Sequence, residues 1–168
     1  MDESIRVTRP PIATRLIWYW MPVAMMLAVM YYFSTDVFSA ENTRSVIEKA
    51  FLLLSPHASK HAMAAFNYAV RKSAHFVEYA VLGALLFRAF RSGDPACWRF
   101  RWAAYSFSSA MGWALLDELH QAFTRTRGAS ILDSLLDSSG ALVMLIVIAI
   151  ISHLRNRELS AISSPRRS

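Results

Sequence analysis

The sequence predicts an all-α integral membrane bundle: four transmembrane helices, with an extra amphipathic helical segment on the outer side. Three observations carry this. Of the 168 residues 55% are hydrophobic and 18% charged, where a soluble domain usually carries about 25% charge. The apolar residues are gathered into long runs, as membrane spans require. Lys and Arg fall at the ends of those runs, where they orient spans in a bilayer. The same composition removes other classes. One Cys leaves no disulfide scaffold and no Cys-rich zinc site. Five Gly leave no Gly-rich phosphate loop. The net charge of +6 sits at the run ends, so no nucleic-acid partner is expected.

The first span, residues 16–33, carries no charge. Its 18 residues cover about 27 Å, close to one hydrocarbon core. Trp18, Trp20, Tyr31 and Tyr32 stand near its ends, as interfacial aromatics do. The run is longer than the apolar part of a cleavable signal and no A-x-A follows it, so a retained helix is expected. The second, third and fourth spans are read at about 73–90, 102–123 and 133–154. Between the first two, Ser39 is placed to cap a helix over 40–54. Its apolar face holds Val46, Ile47, Ala50, Phe51 and Leu54. That helix would lie in the membrane interface or cap the bundle. Pro56 ends it, and a further helix begins near Ala58 and runs into the second span. Gly93-Asp94-Pro95 makes a turn. Residues 155–168 read as a loose polar tail. The chain reads as a single domain.

Orientation follows from the flanks. Eleven of the 18 Lys and Arg fall on the side of the two termini and the 91–101 loop, and seven on the other. Both termini are therefore placed in the cytoplasm of a multi-pass inner-membrane protein. An ionisable side chain at the middle of a span costs roughly 2.5–3.5 kcal/mol on insertion scales, so the acids inside the spans are the candidates for function. Lys72, His75, Glu78 and Tyr79 form one stripe on the second span. Asp117, His120 and Gln121 form another on the third, with Glu118 about 100° away. Asp133, Asp137 and Gly140 form a stripe on the fourth, where Gly140 would let a neighbouring helix approach closely. The topology brings all three stripes to the outer end. Five carboxylates gather there, with Arg71, Lys72 and Arg127 as the cations.

Those residues carry a resemblance. Arg71-Lys72-Ser73-Ala74-His75-Phe76-Val77-Glu78-Tyr79, followed by Leu82-Gly83, resembles the first motif of the VanZ-like family. Asp117-Glu118-Leu119-His120-Gln121-Ala122-Phe123 resembles the second. Arg127, Ser130, Asp133, Asp137 and Gly140 are similar to the third. The family often has Asn where this chain has Asp137, and a Gly where Thr126 stands. The three ordered blocks span residues 71–140. The resemblance implies a small multi-span membrane protein of the bacterial cytoplasmic membrane. It also implies a link to the cell envelope and to tolerance of teicoplanin, the glycopeptide-type antibiotic with which the namesake's resistance is associated.

Three readings of the polar cluster stay open. In the first, it is an ion-pair network that locks the helices together. In the second, it binds an anionic lipid-linked or glycan envelope ligand. Arg71, Lys72 and Arg127 would hold the anion. His75, Glu78, Tyr79, Asp117, Glu118, Gln121, Asp133 and Asp137 would complete the site. In the third, the cluster is an intramembrane hydrolase or transferase with His75, Glu78, Asp117 and Glu118 as its catalytic candidates. No cofactor is expected beyond a divalent metal, for which His75, Glu78, Asp117 and His120 are the candidate ligands.

Overall fold

The computed structural model describes residues 11–34, 47–53, 55–94, 96, 98–122 and 131–163. Within them four long helices alternate in direction: α1 (Ile12–Ser34), α2 (Lys60–Arg91), α3 (Phe100–Ala122) and α4 (Ile131–Ser163). The chain is all-helical over these residues. The expected outer helix is present over residues 47–53, while Ser39, residues 40–46 and Leu54 lie outside the described residues. Phe51 stacks on Phe66 of α2 with ring centroids 4.4 Å apart, which seats this segment against the bundle.

Three helices are long and apolar enough on their own to cross a membrane: α1, α2 and α4 over Ile131–Ala161. Their outward faces carry side chains such as Ile17, Trp18, Met25, Val143 and Ile151, all exposed. A continuous apolar surface of this kind suits lipid rather than water. α3 equals α1 in length at 23 residues. Ser106, Ser108, Ser109, Gly112, Asp117 and Glu118 make it less apolar, so length and composition alone do not establish it as a span.

α2 starts where the sequence signals it. Ser59 caps the helix, its hydroxyl accepting from the Ala62 amide at 3.2 Å. The helix continues without a break through the expected second span. It ends at Ser92, which takes the left-handed conformation (φ 47°) and donates its amide to the Arg88 carbonyl. Gly93 follows at φ 77° beneath the Tyr19 hydroxyl, and a Cβ there would stand 2.7 Å from that oxygen. The turn is held from several sides. Arg15 donates to the Ser92 carbonyl, Arg91 Nε to the Asp94 carbonyl at 2.9 Å, and Arg99 pairs with the Asp94 carboxylate at 3.2 Å.

Pro22 sits inside α1 and cannot donate to the Trp18 carbonyl. A guanidinium NH of Arg88 donates to that oxygen instead, at 3.2 Å, and the same guanidinium lies 5.0 Å from the Tyr19 ring. A neighbouring helix thus satisfies the group that proline leaves unmade, as proline inside a span requires.

The core is built from one stripe per helix. Tyr79, Leu82, Leu86 and Ala89 of α2 meet Ala110 and Ala114 of α3, Ala141 of α4, and Val23 and Met30 of α1. Phe87, Trp102, Ala103 and Leu145 form a second cluster toward the Arg91 end. Lipid tails are as apolar as these side chains, so close packing, not water exclusion, joins the helices, and small residues at the contacts allow it. Over residues 155–163 the expected loose tail is instead helical, with Ser160 Oγ donating to the Asn156 carbonyl at 2.9 Å, and residues 164–168 lie outside the described residues. No glycine or proline interrupts residues 141–163, so nothing in the chain stops the helix there.

Candidate functional site

α2 and α4 run parallel and make the most extensive contact in the bundle. Their approach is fixed by two glycines. A Cβ on Gly140 would stand 2.2 Å from the Phe76 carbonyl oxygen and 3.3 Å from the Ala80 amide nitrogen. A Cβ on Gly83 would meet the Ala141 backbone at 3.0 Å. This close crossing sits one turn from Asp137 and beside Tyr79. The sequence expectation for Gly140 therefore holds, and Gly83 plays the same part from the other helix. α3 joins through Ser134, whose hydroxyl donates to the Ala114 carbonyl at 3.3 Å.

The three stripes meet at one end. Lys72 Nζ lies 2.7 Å from Asp133 Oδ1, linking α2 to α4. It also stands 5.7 Å from the centre of the Tyr68 ring. His75 Nδ1 is 3.7 Å from Glu78 Oε2, one turn on. Glu118 and Asp137 are buried, while Asp117 is half-buried. The Tyr79 hydroxyl lies within electrostatic reach of Glu78, Asp117, Glu118 and Asp137. Asp137 feels Lys72, Asp117, Asp133 and Glu118 in turn. His120 turns away to α1, its ring 5.3 Å from Tyr31. Arg127 and the Gln121 side chain lie outside the described residues.

Arg71, His75, Asp117 and Glu118 have interaction partners of their own. Against that satisfied background three buried atoms stand out. Tyr79 Oη, Asp137 Oδ1 and Trp113 Nε1 have no hydrogen-bond partner among the described residues. Tyr79 is on α2, Trp113 on α3 and Asp137 on α4, and Trp113 packs on the cluster that contains Tyr79 and Ala141. Trp113 lies one turn before Asp117 on the same helix face. Sequence reading passes over it, because a Trp in an apolar run reads as packing. The buried Oδ1 of Asn67, also without a partner, lies three turns before Tyr79 on α2.

The metal expectation does not fit this geometry. Among the described residues no three of His, Cys, Asp and Glu stand close enough to hold one ion. His75 and Glu78 face each other, but His120 is drawn off to Tyr31, so the set His75, Glu78, Asp117 and His120 does not form a ligand shell.

A family model described as VanZ/LLP1 matches residues 19–152. The chain belongs to the VanZ/LLP1 family. The matched region begins in α1 and ends in α4, so it takes in all four helices and every residue of the polar cluster. No curated protein and no solved structure matches the chain. Family membership and the apolar helices together make this a membrane protein of VanZ type.

Proposed function

We infer that this VanZ/LLP1 protein crosses a bacterial inner membrane four times, with both termini in the cytoplasm and the Lys72 end of the bundle facing outward. There it binds an envelope ligand rich in hydroxyl groups, such as the glycan part of a lipid-linked precursor. One observation carries the reading: the buried polar atoms of Tyr79, Trp113 and Asp137 without partners, on three different helices. Leaving a buried polar group unmade costs about 1–3 kcal/mol, so these three are kept at a cost to stability. Their chemistry is mixed. Asp137 Oδ1 accepts, Trp113 Nε1 donates, and the Tyr79 hydroxyl does both. A sugar hydroxyl also does both.

The cations favour a glycan over a simple anion. Lys72 is held by Asp133, and acids outnumber the cations among the described cluster residues. The Lys72–Asp133 pair lies one turn beyond Asp137 toward the helix end, so a ligand enters by parting it. An outward-facing site of this kind suits the envelope role and the teicoplanin tolerance associated with the family's namesake.

The test is a melting titration of the purified protein with N-acetylglucosamine oligosaccharides. The parent should gain stability with saturable dependence, and Tyr79→Phe and Asp137→Asn should lose that gain while folding normally. No gain in the parent contradicts the reading. Expressed in a teicoplanin-susceptible host, the parent should raise tolerance and the same two variants should not.

A further inference from the structure

The opposite end of the bundle holds a second site of different chemistry. A cleft of about 200 Å³ opens between α2 and α4, lined by Arg91, Ile148, Ile151, Ser152 and Arg155. Arg91 is the last residue of α2 and is half-buried, with its Nε committed to the Asp94 carbonyl. Arg155 is exposed on α4, one turn after Ile151. Among the described residues neither guanidinium is paired with a carboxylate. Ser152 is buried between them.

We propose that this cleft binds the phosphate of an anionic phospholipid headgroup. Two guanidiniums match the oxygens of a phosphate, which arginine can hold by paired hydrogen bonds. The depth is right for a lipid. Arg91 lies 19 residues beyond Lys72 along α2, about 28 Å at 1.5 Å per residue, which is close to one hydrocarbon thickness. The two polar layers therefore sit at opposite headgroup levels. The volume is also right. Drug-sized ligands fill about 300–1,000 Å³, whereas this half-open cleft of about 200 Å³ has room for a headgroup and not for a whole lipid. The rest of the molecule must lie outside, and Ile151, 58% exposed beside the arginines, offers an apolar wall to an acyl chain. Basic pockets between spans are the usual setting for anionic headgroups. This site is independent of the polar cluster at the Lys72 end.

The test uses the full chain in an uncharged detergent. Its melting is followed while short-chain phosphatidylglycerol, short-chain phosphatidylcholine or inorganic phosphate is titrated in. The parent should be stabilised by phosphatidylglycerol, and much less by the other two. Arg155→Gln should melt like the parent without lipid, because its side chain is exposed, and should bind phosphatidylglycerol about tenfold more weakly. Arg157→Gln, two residues further and outside the cleft, should bind like the parent. Equal stabilisation by inorganic phosphate would make the occupant a free phosphate and overturn the lipid assignment. No response in the parent, an equal response to phosphatidylcholine, or equal losses in the two arginine variants would overturn the site itself.

Discussion

Arg88 does two jobs that only the three-dimensional structure connects. It donates to the carbonyl that Pro22 leaves open and lies against the Tyr19 ring. Arg88→Met should destabilise the protein by about 0.5–1.5 kcal/mol, the net range for an ordinary hydrogen bond, since this one is exposed. Pro22→Ala restores a donor inside α1. The double variant should therefore lose less than the two single effects summed, which a double-mutant cycle of melting temperatures reads directly. The sequence shows Pro22 and Arg88 separately, but 66 positions divide them and no local rule joins them. The Lys72–Asp133 pair was closer to legible, because both residues stand at the same end of their stripes. It is only partly buried, with side-chain exposures of 18% and 36%. Asp133→Asn should cost about 1 kcal/mol or less, as for other solvated pairs. A loss of several kcal/mol on thermal melting would show the pair to be a structural lock.

At the scale of helices, the α2–α4 crossing depends on backbone contact. A Cβ at Gly140 meets the Phe76 carbonyl oxygen, which cannot swing aside as a side chain can. Gly140→Ala should therefore cost about 3 kcal/mol, the upper part of the overpacking range. Gly112 is the control, because nothing lies within 4 Å of a Cβ built there. Gly112→Ala should stabilise α3 by up to about 1 kcal/mol through helix propensity alone. Opposite signs in the two melting shifts check the crossing. Helix boundaries were largely readable. α2 begins at Lys60, within two positions of the expected start near Ala58, and apolar runs located α1, α3 and α4. The end of α4 was not. Arg155, Asn156, Arg157 and Glu158 are polar, which by itself suits a loose tail and an exposed helix equally. Asp137 is legible as part of a stripe, whereas Glu118, read about 100° off the Asp117 stripe, is the more deeply buried of those two acids. The missing partner of Trp113 was not legible, since a sequence does not tell which indole finds an acceptor.

For the whole molecule, the four-span topology rests on α3, whose serines and acids lower its hydropathy. Cys97, the chain's single cysteine, lies between α2 and α3, and residues 124–130 lie between α3 and α4. If α3 crosses, a membrane-impermeant maleimide should label Cys97 only after cells are permeabilised. Thr126→Cys in a Cys97→Ser background should be labelled in intact cells. Labelling of both from the same side would show that α3 does not cross and would place the polar cluster in a different solvent. Orientation was argued in the sequence from 11 against seven basic residues, a bias that compact packing neither strengthens nor weakens.

In the proposed function, Tyr79, Trp113 and Asp137 are kept unsatisfied for a ligand. Tyr79→Phe tests it most directly, because Tyr79 is fully buried and the change removes one oxygen and leaves the ring packing intact. The purified variant should melt at or above the parent, since an unmade buried hydroxyl has been removed, and should no longer respond to N-acetylglucosamine oligosaccharides. A variant that melts several degrees below the parent would contradict the claim, because the hydroxyl would then be holding the bundle together.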